Sequence, residues 1–291
     1  MSCARRLCAL SNGSVCAVPV NFLDMVDHIE VDGRSVAFTI VGEGADLVML
    51  NGFAATVNDW DPGFVDCLAE SNRLLLVEHR GMGESSDDGH AFSIGDLADD
   101  VSAVIAEQVE GPAAVLGWSM GGYVAQQLAV SNPSQVGRLV LLSTDAGGQR
   151  SDYVDDGVLA EIANVDRPSI EQAKHLLALL FPPAVAEAVF AQYGQLVADA
   201  RAELRADVLS RQLSAIREWR GGASPFERSR PTCPVLVATG TEDAVIPSVN
   251  ARRLVGYSTT AWLAEFPGGG HAFMAQFPDQ LGDVINRFLA V

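Results

Sequence analysis

Positive charge is scarce in this 291-residue sequence. Nineteen lysines and arginines stand against 37 aspartates and glutamates, a formal net charge of −18. No nucleic-acid partner is expected, because a phosphate backbone is met by a basic surface, and the same repulsion disfavours anionic lipid. Long apolar runs are missing too: no stretch reaches the roughly 18 residues needed to cross a bilayer, so no membrane insertion is expected. Cysteine is sparse and unpatterned, at positions 3, 8, 16, 67 and 233. An odd count without close pairs fits neither a metal cluster nor a disulfide scaffold and reads as free thiols in a reducing compartment. Arg5-Arg6 hints at a signal peptide, but Ser11-Asn12-Gly13-Ser14 interrupts any apolar segment at once. Residues 1–25 therefore read as a loose leader, with Met25 as an alternative start, and the expected location is cytoplasmic. Repeats and low-complexity tracts are absent as well.

What is present is hydrophobic: 48% of the residues are apolar, enough for one sizeable core with or without an inserted subdomain. Val26 to Val31 and Val36 to Val41 flank Asp32-Gly33, the signature of a hairpin turn. Leu47 to Leu50, Leu74 to Val77, Ala113 to Leu116 and Leu139 to Leu142 are short apolar runs suited to strands buried on both faces, and strand signals resume at Pro234 to Gly240. Thr260 to Phe266 fits a last strand, Asp61-Pro62-Gly63 reads as a turn, and helical spacing over Phe64 to Glu70, Ile94 to Val109, Tyr123 to Val130 and Gln280 to Leu289 alternates with the strands. The expected class is α/β, a mostly parallel central sheet covered by helices on both faces.

Strand signals vanish between residues 146 and 230. Three helices are expected there: one opened by the capping box Ser169-Ile170-Glu171-Gln172, one from Pro182-Pro183 to about Asp199, and one from Arg201 to Trp219. An all-helical stretch between sheet strands reads as a cap over a core made of residues 26–145 and 231–291.

Chemistry centres on Gly117-Trp118-Ser119-Met120-Gly121, placed between a strand and a helix. Glycines on either side allow a sharp turn that projects the Ser119 hydroxyl, and the helix N-terminus behind it offers N–H groups to an oxyanion. A serine hydroxyl needs an imidazole to take its proton and a carboxylate to orient that imidazole. Of His28, His79, His90, His175 and His271, chain order selects His271, in the loop Gly268-Gly269-Gly270-His271. The acid is expected at Asp243, with Glu242 beside it and Asp145 after an earlier strand as alternatives; Asp145 would otherwise cap the start of the helical stretch.

With these stretches together, the sequence from Val26 to Val291 resembles the α/β-hydrolase fold family, in its serine-nucleophile branch with a helical cap. The resemblance rests on Leu-Asn-Gly-Phe at 50–53, Glu-His-Arg-Gly-Met-Gly-Glu-Ser at 78–85, Gly-Trp-Ser-Met-Gly-Gly at 117–122, Gly-Thr-Glu-Asp at 240–243 and Gly-His at 270–271. It implies Ser119 as nucleophile, His271 as general base and then acid, Asp243 as its orienting carboxylate, and an oxyanion hole from the backbone N–H groups of Phe53 and Met120. It implies no metal and no organic cofactor. Two departures stand out: Asn51 where the family usually has His, and Glu78 where it usually has Asp. Asn51 is expected to leave the hole intact, and Glu78 with Arg80 to form a structural ion pair or brace the loop.

The implied activity is hydrolysis of an ester, lactone or related acyl bond in a small, largely apolar molecule. Cofactor-free perhydrolases and C–C bond hydrolases share the same triad, and a ligand receptor with slow turnover shares the fold. Trp118, Leu177, Phe181 and Phe190 are the expected pocket residues, within a wider apolar set (Leu176, Leu180, Val189, Trp219) that would otherwise bury the cap against the sheet.

Overall fold

The computed structural model describes residues 26–148, 150–153, 156–164 and 170–291. The leader and the capping box at Ser169 lie outside them.

Eight strands form one sheet in the order β1-β2-β4-β3-β5-β6-β7-β8. They are β1 (Val26–Val31), β2 (Arg34–Val41), β3 (Ala45–Leu50), β4 (Asn72–Val77), β5 (Ala113–Trp118), β6 (Val136–Leu142), β7 (Val235–Gly240) and β8 (Ala261–Phe266). The hairpin β1–β2 turns on Asp32 at φ 49° and Gly33 at φ 77°, the two positive values that a two-residue turn matching strand twist requires. β2 runs antiparallel to both β1 and β4, and every later pairing is parallel.

Strand side chains alternate between two apolar layers. Val48 and Leu50 face one layer with α2 (Ile94–Gln108) and α3 (Met120–Ser131), whereas Leu47 and Met49 face the other with α1 (Pro62–Ala69) and α10 (Pro278–Leu289). All four of these β3 side chains are fully buried. Burial on both faces is why the strands read as unbroken apolar runs and not as alternating ones. One turn signal has a different outcome: Asp61 is the N-cap of α1, its Oδ1 accepting from Phe64 N at 2.9 Å, with Pro62 at the first helical position. Asp-Pro favours turns and helix starts for the same reason, a fixed φ and a side-chain acceptor.

Between β6 and β7 lie α4 (Asp156–Ala163), α5 (Ile170–Leu180), α6 (Pro183–Ala202), α7 (Ala206–Gly221) and the short α8 (Pro225–Arg228); α9 (Val249–Leu254) follows β7. α4 and α9 are additional to the expected helices. Arg201 belongs to the last turn of α6, and α7 begins only at Ala206. No Gly or Pro marks that break, so the sequence carries no stop signal there. Among the described residues no helix is long and apolar enough to cross a membrane, and Cys67 and Cys233 are buried and form no disulfide.

Candidate active site

Ser119 sits at the junction of β5 and α3 with φ 55° and ψ −119°, a conformation that a side chain adopts only at a cost and only where its surroundings hold it. Its own N–H donates to Leu142 O at 2.9 Å, and its carbonyl accepts from Gly122 N at 2.9 Å and Thr144 Oγ1 at 2.8 Å. The flanking glycines are obligatory. A Cβ on Gly117 would stand 2.2 Å from Gly121 O, and one on Gly121 would stand 2.2 Å from Leu50 O.

His271 follows β8 and is 2% exposed. Its Nδ1 lies 2.9 and 3.0 Å from the two Asp243 oxygens, while Asp243 Oδ1 also accepts from Val245 N at 2.9 Å and Ile246 N at 2.8 Å. A carboxylate only accepts, so Nδ1 carries a proton, and in the neutral imidazole Nε2 is the nitrogen with the free lone pair. The Trp118 indole donates to His271 O at 3.0 Å and its ring packs 5.4 Å from the imidazole. Of the alternative acids, Glu242 is exposed. Asp145 is fully buried elsewhere: its Oδ2 accepts from Tyr123 OH and its Oδ1 from Gly147 N, both at 2.7 Å. Burial pushes the Asp145 carboxyl upward, opposed by the Tyr123 hydrogen bond. His28, His90 and His175 face solvent.

Ser119 and His271 open onto one cavity of about 80 Å³, with Gly52, Phe53 and Met120 beside them. Met120 is the first residue of α3, where a backbone N–H has no acceptor within the helix. A Cβ on Gly52 would meet Ser119 Cβ at 3.2 Å, which shows how closely the 51–54 backbone approaches the serine.

The cap closes the cavity with Leu159, Ile162, Leu176, Leu180, Val197, Leu204 and Ile216, and Trp118 is part of the wall. Leu177, Phe181 and Phe190 are not: they pack into the layer shared with α1 and α10, and Lys174 Nζ lies 5.7 Å from the Phe190 ring centre. On α5, positions 176 and 180 share one face while 177, with Phe181 just past the helix end, lies on the next, about 100° round the axis. Polar groups that the sequence did not single out also line the cavity. They are Thr56, Asp59, Tyr123 (stacked on Trp219 at 5.1 Å) and the cap arginines Arg201 and Arg220. Burial lowers the Arg201 guanidinium, opposed by the charge of Asp59. Among the described residues no group of three or more His, Cys, Asp or Glu could hold a metal ion.

The departures at 51 and 78 take part in one buried brace under the 51–57 loop. Glu78 Oε1 accepts from Val57 N at 3.0 Å, Asn51 Nδ2 donates to Thr56 O, and His79 Nε2 lies 3.0 Å from Asn51 O. Burial pushes the Glu78 carboxyl up to about 8 and lowers the His79 imidazole. Glu78 therefore braces the loop, while Arg80 pairs with Asp100 in company with Arg34.

An alpha/beta hydrolase family model matches residues 47–284. The chain belongs to the alpha/beta hydrolase family. A pimeloyl-[acyl-carrier protein] methyl ester esterase of Nitrosomonas europaea is 31% identical over 256 residues, 84% of this chain and 96% of that protein. Among solved structures, the enol-lactonase of Burkholderia xenovorans LB400 superposes with a TM-score of 0.78 at 21% identity, covering 91% of this chain and all of its own. The meta-cleavage product hydrolase of Pseudomonas fluorescens IP01 reaches 0.79 at 19% identity, covering 92% and 98%. As a member of this alpha/beta hydrolase family the chain is a hydrolase; the fold neighbours are named for different substrates, so fold alone does not choose among them.

Proposed function

We propose that this alpha/beta hydrolase cleaves the ester or lactone bond of a small, largely apolar molecule through an acyl-enzyme on Ser119. The observation that carries the reading is the buried His271–Asp243 pair, with contacts of 2.9 and 3.0 Å, whose imidazole lines the same cavity as a serine held at φ 55°. The ester-cleaving relative at 31% identity over most of both chains favours acyl chemistry over the other reactions of the fold.

In this mechanism His271 Nε2 takes the Ser119 proton as Oγ bonds to the acyl carbon. The imidazolium that forms is stabilised by Asp243, which also fixes the tautomer. Charge gathers on the former carbonyl oxygen, which faces the N–H groups of Phe53 and Met120; one such donor is worth about 10²–10³-fold in rate. The C–O bond then breaks, Nε2–H protonates the departing alkoxide, and water activated by the same nitrogen releases the acid and restores Ser119. The pocket wall of Leu176, Leu180, Val197 and Ile216 receives the apolar part of the substrate.

The test is a panel of p-nitrophenyl esters from acetyl to dodecanoyl, with product counted per protein for wild type and Ser119→Ala. Many turnovers, lost on the order of 10⁴-fold or more in the alanine variant, are expected. One equivalent of product per protein would point to a receptor or a trapped acyl-enzyme. Undiminished turnover by Ser119→Ala would remove the serine mechanism.

A further inference from the structure

The loop that carries Phe53 is pinned from two directions. From the core, Asn51, His79 and Glu78 hold its two ends at residues 51 and 56–57. Its middle is held by a cap helix: Gln212 of α7, fully buried, accepts the N–H of Ala54 on Oε1 at 3.1 Å. Ala54 is a non-glycine residue at φ 57°, a backbone state that persists only where neighbours enforce it.

The orientation of the Gln212 amide follows from this contact. Ala54 N–H is a donor and must meet the carbonyl end, which turns Nε2 away. Among the described residues that nitrogen has no hydrogen-bond partner, although it is buried. A buried donor without a partner costs stability, and a leucine at 212 would carry no such cost. What leucine would lack is the acceptor.

We infer that Gln212 is a positioning residue for catalysis, the contact through which the cap aims the oxyanion donor at Phe53. The inference rests on the serine-hydrolase reading above. Gln212 anchors the peptide between Phe53 and Ala54, one Cα from the Phe53 N–H, so a shift of α7 is passed to the hole through a single hydrogen bond. Two variants separate this role from a mere tie between helix and loop. Gln212→Leu removes the acceptor, whereas Gln212→Glu keeps an oxygen at similar reach, and both remove Nε2–H. Glu also brings a carboxyl whose charge would work against an oxyanion, so activity kept in the Glu variant and lost in the Leu variant assigns the effect to the acceptor.

The experiment measures kcat and KM on p-nitrophenyl butyrate, with a thermal melt of each variant. Gln212→Leu is expected to lower kcat by about ten- to a hundredfold, since small misplacements of this kind cost that much. KM stays within about twofold, because the hole acts on the transition state. Gln212→Glu retains most of the wild-type kcat. If Gln212→Leu does not fold, Gln212→Met, also without the acceptor, carries the same expectation. Wild-type kcat in the variant without the acceptor, with only its melting point lowered, would overturn the inference. Undiminished turnover by Ser119→Ala would instead mean that the underlying reading of the site had failed.

Discussion

Below Ser119 the sheet is sealed. Leu47, Val48, Leu116, Leu139 and Leu236 expose none of their surface. Above it, the cap helices bury narrow stripes. α6 runs from Pro183 to Ala202, yet its buried residues are Ala186, Gly194, Ala198 and Arg201. The floor holds groups whose relative placement sets the chemistry, each fixed by backbone hydrogen bonds and close packing. Beside Arg201 and Arg220, the roof meets the cavity through aliphatic side chains, which can change in size without breaking a hydrogen bond. On the proposed reading, the floor supplies the reacting groups and the aliphatic part of the roof sorts substrates, with Gln212 the point where roof and floor meet.

That division can be broken most severely from below. Asp243→Asn is expected to lower kcat by about 10⁴-fold, because an amide facing Nδ1 favours the wrong tautomer; circular dichroism should show the fold intact. A smaller effect of a different kind comes from Leu76→Ala in the sealed layer. It should cost about 2–5 kcal/mol in chemical denaturation, by the cavity it leaves, with kcat per folded molecule retained. On the roof, Leu176→Phe should do the reverse. The narrowed cavity lowers kcat/KM for dodecanoyl esters by about tenfold relative to acetyl esters, on the scale of lost methylene burial, with little change in melting temperature. Equal chain-length profiles in wild type and Leu176→Phe would remove α5 from the specificity surface.

The subtlest effect is in pH. Glu78 is raised from an ordinary 4.5 to about 8 by burial, with Asp59 and Glu84 adding to the rise and the Val57 N–H opposing it. Below 4.5 the carboxyl is protonated in both folded and unfolded chains, and its contribution to stability is fully present. As pH climbs toward 8 the unfolded chain ionises first, so that contribution is lost. The melting temperature of wild type should therefore fall between pH 5 and pH 8 more steeply than that of Glu78→Gln. Parallel curves would show that Glu78 ionises freely in the folded protein.

What was legible in the sequence was whatever left a local or ordered trace. The strand runs, the Asp32-Gly33 hairpin and the glycines around Ser119 are local, and each has a direct steric meaning. His271 and Asp243 were chosen by chain order, and they stand within hydrogen-bond distance of each other. The helix face presented to the cavity was not legible. Leu176 and Leu180 form one stripe on α5 and Leu177 the next, continued by Phe181 just past the helix end, and nothing in their spacing says which one meets the roof of the cavity and which the α1 layer. Asp61-Pro62 carried two meanings, turn and helix cap, and only the helix that follows decides between them. Gln212 left no trace at all: it is one polar residue in a helix, and its partner lies 158 positions away.

The sheet order carries a consequence in time. Ser119, Asp243 and His271 follow β5, β7 and β8, and Phe53 follows β3, so these residues converge only when strands far apart in the chain have found their parallel register. Helices α2 and α3 need only neighbouring residues to form. In refolding from denaturant, helical signal should return first and esterase turnover last, at the pace of the slowest long-range pairing.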